Sequence, residues 1–160
     1  MSLLTLALLT VLAAPPLTPA RFAERPGWHV ATVRVHGCPG VKPSRCVQVT
    51  SWAATVPRRD CIECLPHRTL ARLPRDGVAM QLVLARERPR SWEHPLRWRP
   101  RLRAEETGNF EGLPTRIGTI QRAGRLHGFY ASLVVFFGRP HPTPQQLARA
   151  EAELATARLP

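Results

Sequence analysis

Residues 128–138, GFYASLVVFFG, are the most apolar stretch that follows the first twenty residues of this 160-residue chain. Glycines bound the run, and it is far shorter than the about 20 helical residues that a bilayer crossing needs. Its β-branched and aromatic content predicts a strand at the centre of a sheet. A chain carrying such a strand must supply neighbours for it. Residues 27–37, GWHVATVRVHG, alternate: His29, Ala31, Val33 and Val35 fall on one face, and Trp28, Val30, Thr32 and Arg34 on the other. That is the period of a strand. Residues 46–56, CVQVTSWAATV, are divided, since Val47, Val49 and Thr50 favour a strand and the alanine-rich end favours a helix. Residues 73–86, LPRDGVAMQLVLAR, place a Pro-Arg-Asp-Gly turn before an apolar run of strand length over 78–84. Gly112-Leu113-Pro114 then leads into a short strand over 115–121, TRIGTIQ, and residues 124–128 read as a hairpin loop with a glycine at each end.

The C-terminus carries the best-formed local signal. Thr143 stands as an N-cap, Pro144 at the first helical position and Gln146 at the third, the ingredients of a capping box. Leu147, Ala150, Leu154 and Ala157 follow as a narrow apolar stripe, with Arg149, Glu151, Glu153 and Arg158 off it. The stripe predicts a helix packed on one sheet face, with a partner-binding helix as the alternative. Several strands followed by one helix specify an α+β fold, a mainly antiparallel sheet with the C-terminal helix packed on it. A β-sandwich with an appended helix is the runner-up.

The first twenty residues, MSLLTLALLTVLAAPPLTPA, contain an apolar run over 3–14 that matches the core of a secretory signal peptide. Pro15, Pro16 and Pro19 break any helix after it, and Thr18 and Ala20 suit a cut after Ala20. We expect a signal peptide over 1–20, an uncleaved anchor being the alternative, and a single secreted or extracytoplasmic domain over 21–160. A domain of that length buries about two-thirds of its unfolded surface, enough for a real core.

The formal charge is +12, but of 23 basic residues only Lys42 is lysine. Arginine, alanine, proline and glycine share GC-rich codons, so base composition alone inflates arginine. The charge raises association with acidic surfaces without specifying nucleic acid, which export disfavours further.

All four cysteines lie close together, Cys38 and Cys46 in HGCPGVKPSRC and Cys61 and Cys64 in RRDCIECLPH. Structural zinc wants two close ligand pairs. Cys61 and Cys64 form one, but Pro39 and Pro43 interrupt the other, so a site using Cys38, Cys46, Cys61, Cys64, His36 and His67 is a weak alternative. A redox-active pair at Cys61 and Cys64 would draw on Arg58, Arg59 and His67 for cations, but it lacks the apolar strand that precedes such pairs. Leu65 occupies the position that covalent haem reserves for histidine. Two structural disulfides fit an exported domain best, stapling its N-terminal half. Loop closure gives about 2.6 and 1.9 kcal/mol to the local pairing, against roughly 3.1–3.5 kcal/mol for each long-range loop. We favour long-range pairing and leave all three connectivities open.

Residues 86–103, RERPRSWEHPLRWRPRLR, combine three prolines, seven arginines and two tryptophans. The prolines exclude a sheet interior. Trp92, Trp98, Arg97, Arg99 and Arg101 are the candidate anion-binding set, for lipid headgroups, a wall polymer or stacked bases. The competing reading is a stiff surface loop whose tryptophans pack back on the sheet. His94 and His127 have no recurring carboxylate partner, and Glu105, Glu106 and Glu111 lie in a polar, loop-like stretch. Ser51 and Ser132 lack a nucleophile-elbow context. No catalytic constellation and no cofactor motif emerges.

The blocks GWHVATVRVHGCPG, RCVQVTSW, LPRDGV, FFGRP and LARAEAELATARLP resemble small exported proteins of high-GC bacteria. The resemblance implies an extracytoplasmic domain and assigns no functional residue. The expected function is a non-catalytic binding or structural domain. The alternatives are an anionic-surface binder working through 86–103 and a thiol-disulfide oxidoreductase using Cys61 and Cys64.

Overall fold

The run at 128–138 forms strand β5, Phe129–Phe137, and it lies inside a sheet with a neighbour on each side. The computed structural model describes residues 20–36, 47–61, 65–85, 94–98 and 101–159. The other strands are β1 (His29–His36), β2 (Val47–Ala54), β3 (Val78–Ala85) and β4 (Gly118–Leu126). Their spatial order is β1-β2-β3-β5-β4, and every adjacent pair is antiparallel. The divided segment at 46–56 resolves as a strand, because Val49 to Ala54 are buried between two partners that supply ladder bonds on both sides.

Alternation sorts the sheet into two faces. On one, Met80, Leu82 and Leu84 of β3, Leu133, Val135 and Phe137 of β5 and Ile120 of β4 meet the terminal helix. On the other, Trp52, Ala79 and Phe136 pack against Leu70, Leu73 and Ile117 at one end of the strands. The strand expected there forms as β1, with Val30 and, just before the strand, Trp28 packed against the first of these clusters. Large side chains buried to this degree contribute about 1.5–3 kcal/mol each, so the two clusters carry most of the fold.

Helix α2, Pro144–Leu154, has the full capping box: the Thr143 hydroxyl accepts from the Gln146 N–H, and the Gln146 side chain accepts from the Thr143 N–H. Ala150 and Leu154 of the expected stripe are buried, with Leu147 partly so. Two polar residues are buried beside them, Gln146 and Glu153. Gln146 Nε2 donates to the carbonyls of Arg75 (3.2 Å) and Gly77 (3.1 Å), which ties the helix to the turn before β3. Together the antiparallel sheet and this helix make the α+β fold. Among the described residues, no helix is long and apolar enough to cross a membrane.

The hairpin before β5 differs from the expected loop. β4 continues through Gly124 to Leu126, and the connection is only His127-Gly128, both at positive φ, 47° and 85°. Such two-residue turns match the twist of the strands they join. Gly124 has another role. A Cβ there would stand 2.5 Å from the His94 carbonyl oxygen, because residues 94–96 cross the outer edge of β4. Leu96 N–H donates to the Arg125 carbonyl at 2.7 Å, and Arg125 N–H donates to the His94 carbonyl at 2.8 Å. Further along, Gly108 and Thr119 exchange backbone bonds at 2.9 Å. The long connection between β3 and β4 therefore covers an exposed sheet edge.

The N-terminal segment is docked as well. Ala20 and Phe22 are buried in the helix-side cluster, Arg21 pairs with Arg158 through two backbone bonds, and the Ser51 hydroxyl donates to the Ala20 carbonyl. Of the leader expected over 1–20, residues 1–19 lie outside the described residues, and its last residue, Ala20, is the buried one.

Candidate functional site

Three pieces of chain meet at one end of the sheet. Val78 and Gly118 both pair with Phe137, so the turn at 74–77, the approach to β4 at Arg116 and the exit of β5 at 138–141 are brought side by side. They enclose a cleft of about 540 Å³ lined by Arg75, Arg116, Gly138, Arg139, Pro140 and His141. Its backbone is tightly packed. Gly138 N–H donates to the Gly77 carbonyl at 3.1 Å, and a Cβ on Gly138 would stand 1.7 Å from the Pro74 carbonyl oxygen. Only glycine allows that approach. Gly118 N–H donates to the Arg139 carbonyl at 3.1 Å, fixing the opposite wall.

The three guanidinium groups differ in what holds them. Arg116 donates to the carbonyls of Leu73 (3.0 Å), Leu70 (2.9 Å) and Ala71 (2.7 Å). These are oxygens at and beyond the C-terminus of the short helix α1, His67–Leu70, where a cation is favoured. Among the described residues, Arg75 and Arg139 commit no side-chain donor to a hydrogen bond or ion pair. No carboxylate of the described residues lines the cleft, but Arg75 and Arg139 also line an adjoining hollow of about 340 Å³, together with Asp76, Thr143 and Gln145. Arginine is always charged and has no acceptor, so this end of the molecule concentrates positive charge over a rigid frame.

Nothing in the sequence pattern singles out these arginines. Each sits next to or near a glycine at a strand end, in PRDG, TRIG and FFGRP, but nothing local says that the three ends coincide. The strand register does.

Three members of the expected anion-binding set fall within the described residues. Arg97 and Arg101 are exposed, whereas Trp98 is half-buried and packs on the helix-side cluster. Its Nε1 is buried without a hydrogen-bond partner among the described residues. Trp92 and Arg99 lie outside the described residues. Glu105 and Glu106 occupy a single 3-10 turn, Glu106 in contact with Arg122 and Glu105 at 3.9 Å from Arg103; Glu111 is exposed.

Around the cysteines, Cys61 is exposed, while Cys38, Cys46 and Cys64 fall outside the described residues. Arg58 is not spread beside the sulfur as a free cation. Its guanidinium lies 4.2 Å over the Trp52 ring and donates to the carbonyls of Asp60 and Cys61. Asp60 accepts from the Thr69 hydroxyl (2.7 Å) and from the N–H groups of Thr69 (2.8 Å) and Arg68 (3.2 Å). Burial works to raise the Asp60 pKa, but the Thr69 and Arg68 hydrogen bonds and the nearby Arg58 charge outweigh it and hold the carboxyl below its ordinary range. This network pins the cysteine segment to α1. His67 is exposed at the start of α1, and the His36 side chain lies outside the described set. Among the described residues, no three His, Cys, Asp or Glu side chains are grouped as a metal site. Ser51 is spent on the Ala20 carbonyl, and Ser132 is half-buried within β5.

No family model, no curated protein and no solved structure matches the chain.

Proposed function

We propose that this chain is an exported, non-catalytic binding domain whose ligand is anionic, with its N-terminal half stapled by two disulfides among Cys38, Cys46, Cys61 and Cys64. The observation that carries the reading is the cleft at the sheet end. It gathers Arg75, Arg116, Arg139 and His141 with no lining carboxylate among the described residues. Guanidinium groups without an ion-pair partner among the described residues, held over a hydrogen-bonded frame, are poised for an external anion. The thin supply of acid, 11 Asp and Glu against 23 Lys and Arg, keeps the surrounding field positive.

Retention on anionic vesicles and on purified cell wall tests the proposal, with neutral vesicles as control. The wild-type chain is expected to bind both anionic surfaces and to release as salt rises past the point where the Debye length falls below about 8 Å. Arg75→Glu with Arg139→Glu is expected to weaken retention more than Arg97→Glu with Arg101→Glu. Retention unchanged by both double variants sinks the proposal. Thiol counting in denaturant checks the staples: no free thiol before reduction and four after it is the expected result, and free thiols before reduction contradict it.

A further inference from the structure

Every side chain that lines the cleft and can form polar bonds is a donor or an imidazole. Arg75, Arg116 and Arg139 have no acceptor atoms, and Gly138 and Pro140 add no polar side chain. Two carbonyls at the rim already accept bonds, that of Arg139 from the Gly118 N–H and that of Pro74 from the Gly77 N–H. The ligand group that suits this wall is therefore acceptor-only. Carboxylate, sulfate and phosphate qualify, and the number of guanidiniums separates them. A carboxylate is satisfied by a single arginine fork. Three arginines around one cleft exceed that need; sulfate and phosphate esters both offer three acceptor oxygens, and of the two only the phosphate carries up to two charges. Arg116 is already anchored to three carbonyls, so it is a fixed part of the wall, while Arg75 and Arg139 hold donors in reserve. Volume adds a further constraint. A cleft of about 540 Å³ falls within the about 300–1,000 Å³ range of small-molecule sites, much larger than a bare phosphate ion requires.

We propose that this cleft binds the phosphate group of a phosphate ester, with the esterified body occupying the remaining space along Pro140 and His141. The inference rests on the anionic-ligand reading above and narrows it to one chemistry. Two sources carry that chemistry, a soluble phosphorylated small molecule and a phosphorylated lipid headgroup, and binding distinguishes them.

The test is calorimetric titration of the full chain, disulfides intact, with phenyl phosphate, benzoate and benzenesulfonate, which share one body and differ in the charged group. Phenyl phosphate is expected to bind about tenfold or more tightly than the other two. Arg75→Gln with Arg139→Gln should weaken it by about tenfold or more, since the charge-assisted bonds of two guanidiniums are lost together. Arg97→Gln with Arg101→Gln should leave it within about twofold. Melting curves establish that both double variants, built at exposed or half-exposed positions, remain folded. A second arm adds vesicles containing phosphatidic acid. Displacement of bound protein from them by phenyl phosphate assigns the cleft to a headgroup, and phenyl phosphate binding without displacement assigns it to a soluble ester. Equal affinity for benzoate, or phenyl phosphate binding unchanged in the Arg75/Arg139 variant, overturns the proposal. If anionic surfaces still retain the wild-type chain in that case, the broader anionic reading survives; if they do not, both fall.

Discussion

Glu153 is the residue whose position is least expected from its chemistry. It lies on α2 with its side chain fully buried, accepting a long contact from the Thr156 hydroxyl at 3.4 Å while Oε2 has no hydrogen-bond partner among the described residues. Arg25 approaches only to 4.0 Å and is itself half exposed. Burial raises the Glu153 pKa, against the smaller opposing effects of the Thr156 hydroxyl and the Arg25 charge. The folded chain thus binds this proton more tightly than the unfolded chain, in which a glutamate titrates near about 4.3. The stability it contributes is complete below that value and is lost as pH rises through the folded pKa. In urea unfolding followed from about pH 4 to pH 7, Glu153→Gln should flatten the decline in stability expected of the wild type over that window. A parallel decline in both proteins contradicts the assignment. The sequence pattern puts Glu153 off the apolar stripe, and by periodicity alone that is where it belongs. It is buried because the N-terminal segment docks beside the helix. That contact joins residues 133 positions apart in the chain, through the 3.2 Å bond from Ala23 N–H to the Thr156 hydroxyl, and no local pattern reports it.

At the scale of elements, most of what was legible had short-range causes. The capping box, the alternation in β1, the turn at 74–77 and the apolar run of β5 each follow from residues within one or two turns of chain. Thr143→Ala should lower stability by about 1 kcal/mol, the usual cost of losing an N-cap, read as a shift in the midpoint of thermal unfolding; an unchanged midpoint contradicts the role of the cap. Gly124 shows where local reading fails. A glycine next to arginine and alanine, four residues before another glycine, has the composition of a loop, yet it sits inside β4 so that residues 94–96 can lie against it. Gly124→Ala should therefore strip that cover. The expected result is a loss of roughly 1–3 kcal/mol, the range of overpacking, together with concentration-dependent association through the bared edge. A Gly124→Ala variant as stable and as monomeric as the wild type overturns the covering role. The same geometry places the proline-rich segment: residues 94–98 serve an edge, and Trp98 serves the core, which leaves Arg97 and Arg101 as exposed charges.

Across the whole molecule, fold class was readable because α+β order is written in the succession of strands and helix. The cleft was not, because it exists only once β3, β4 and β5 are in register and three distant arginines share one end of the sheet. Charge composition pointed towards anions without locating them, and none of the described residues of the densest arginine run lines the cleft. Titration of a phosphate ester into isotopically labelled protein, followed by amide chemical shifts, compares the two locations directly. The cleft reading predicts saturable shifts centred on residues 75–77, 116–118 and 138–141, with those at 97–103 unmoved. Shifts confined to 94–103, or none at saturating ester, would contradict it.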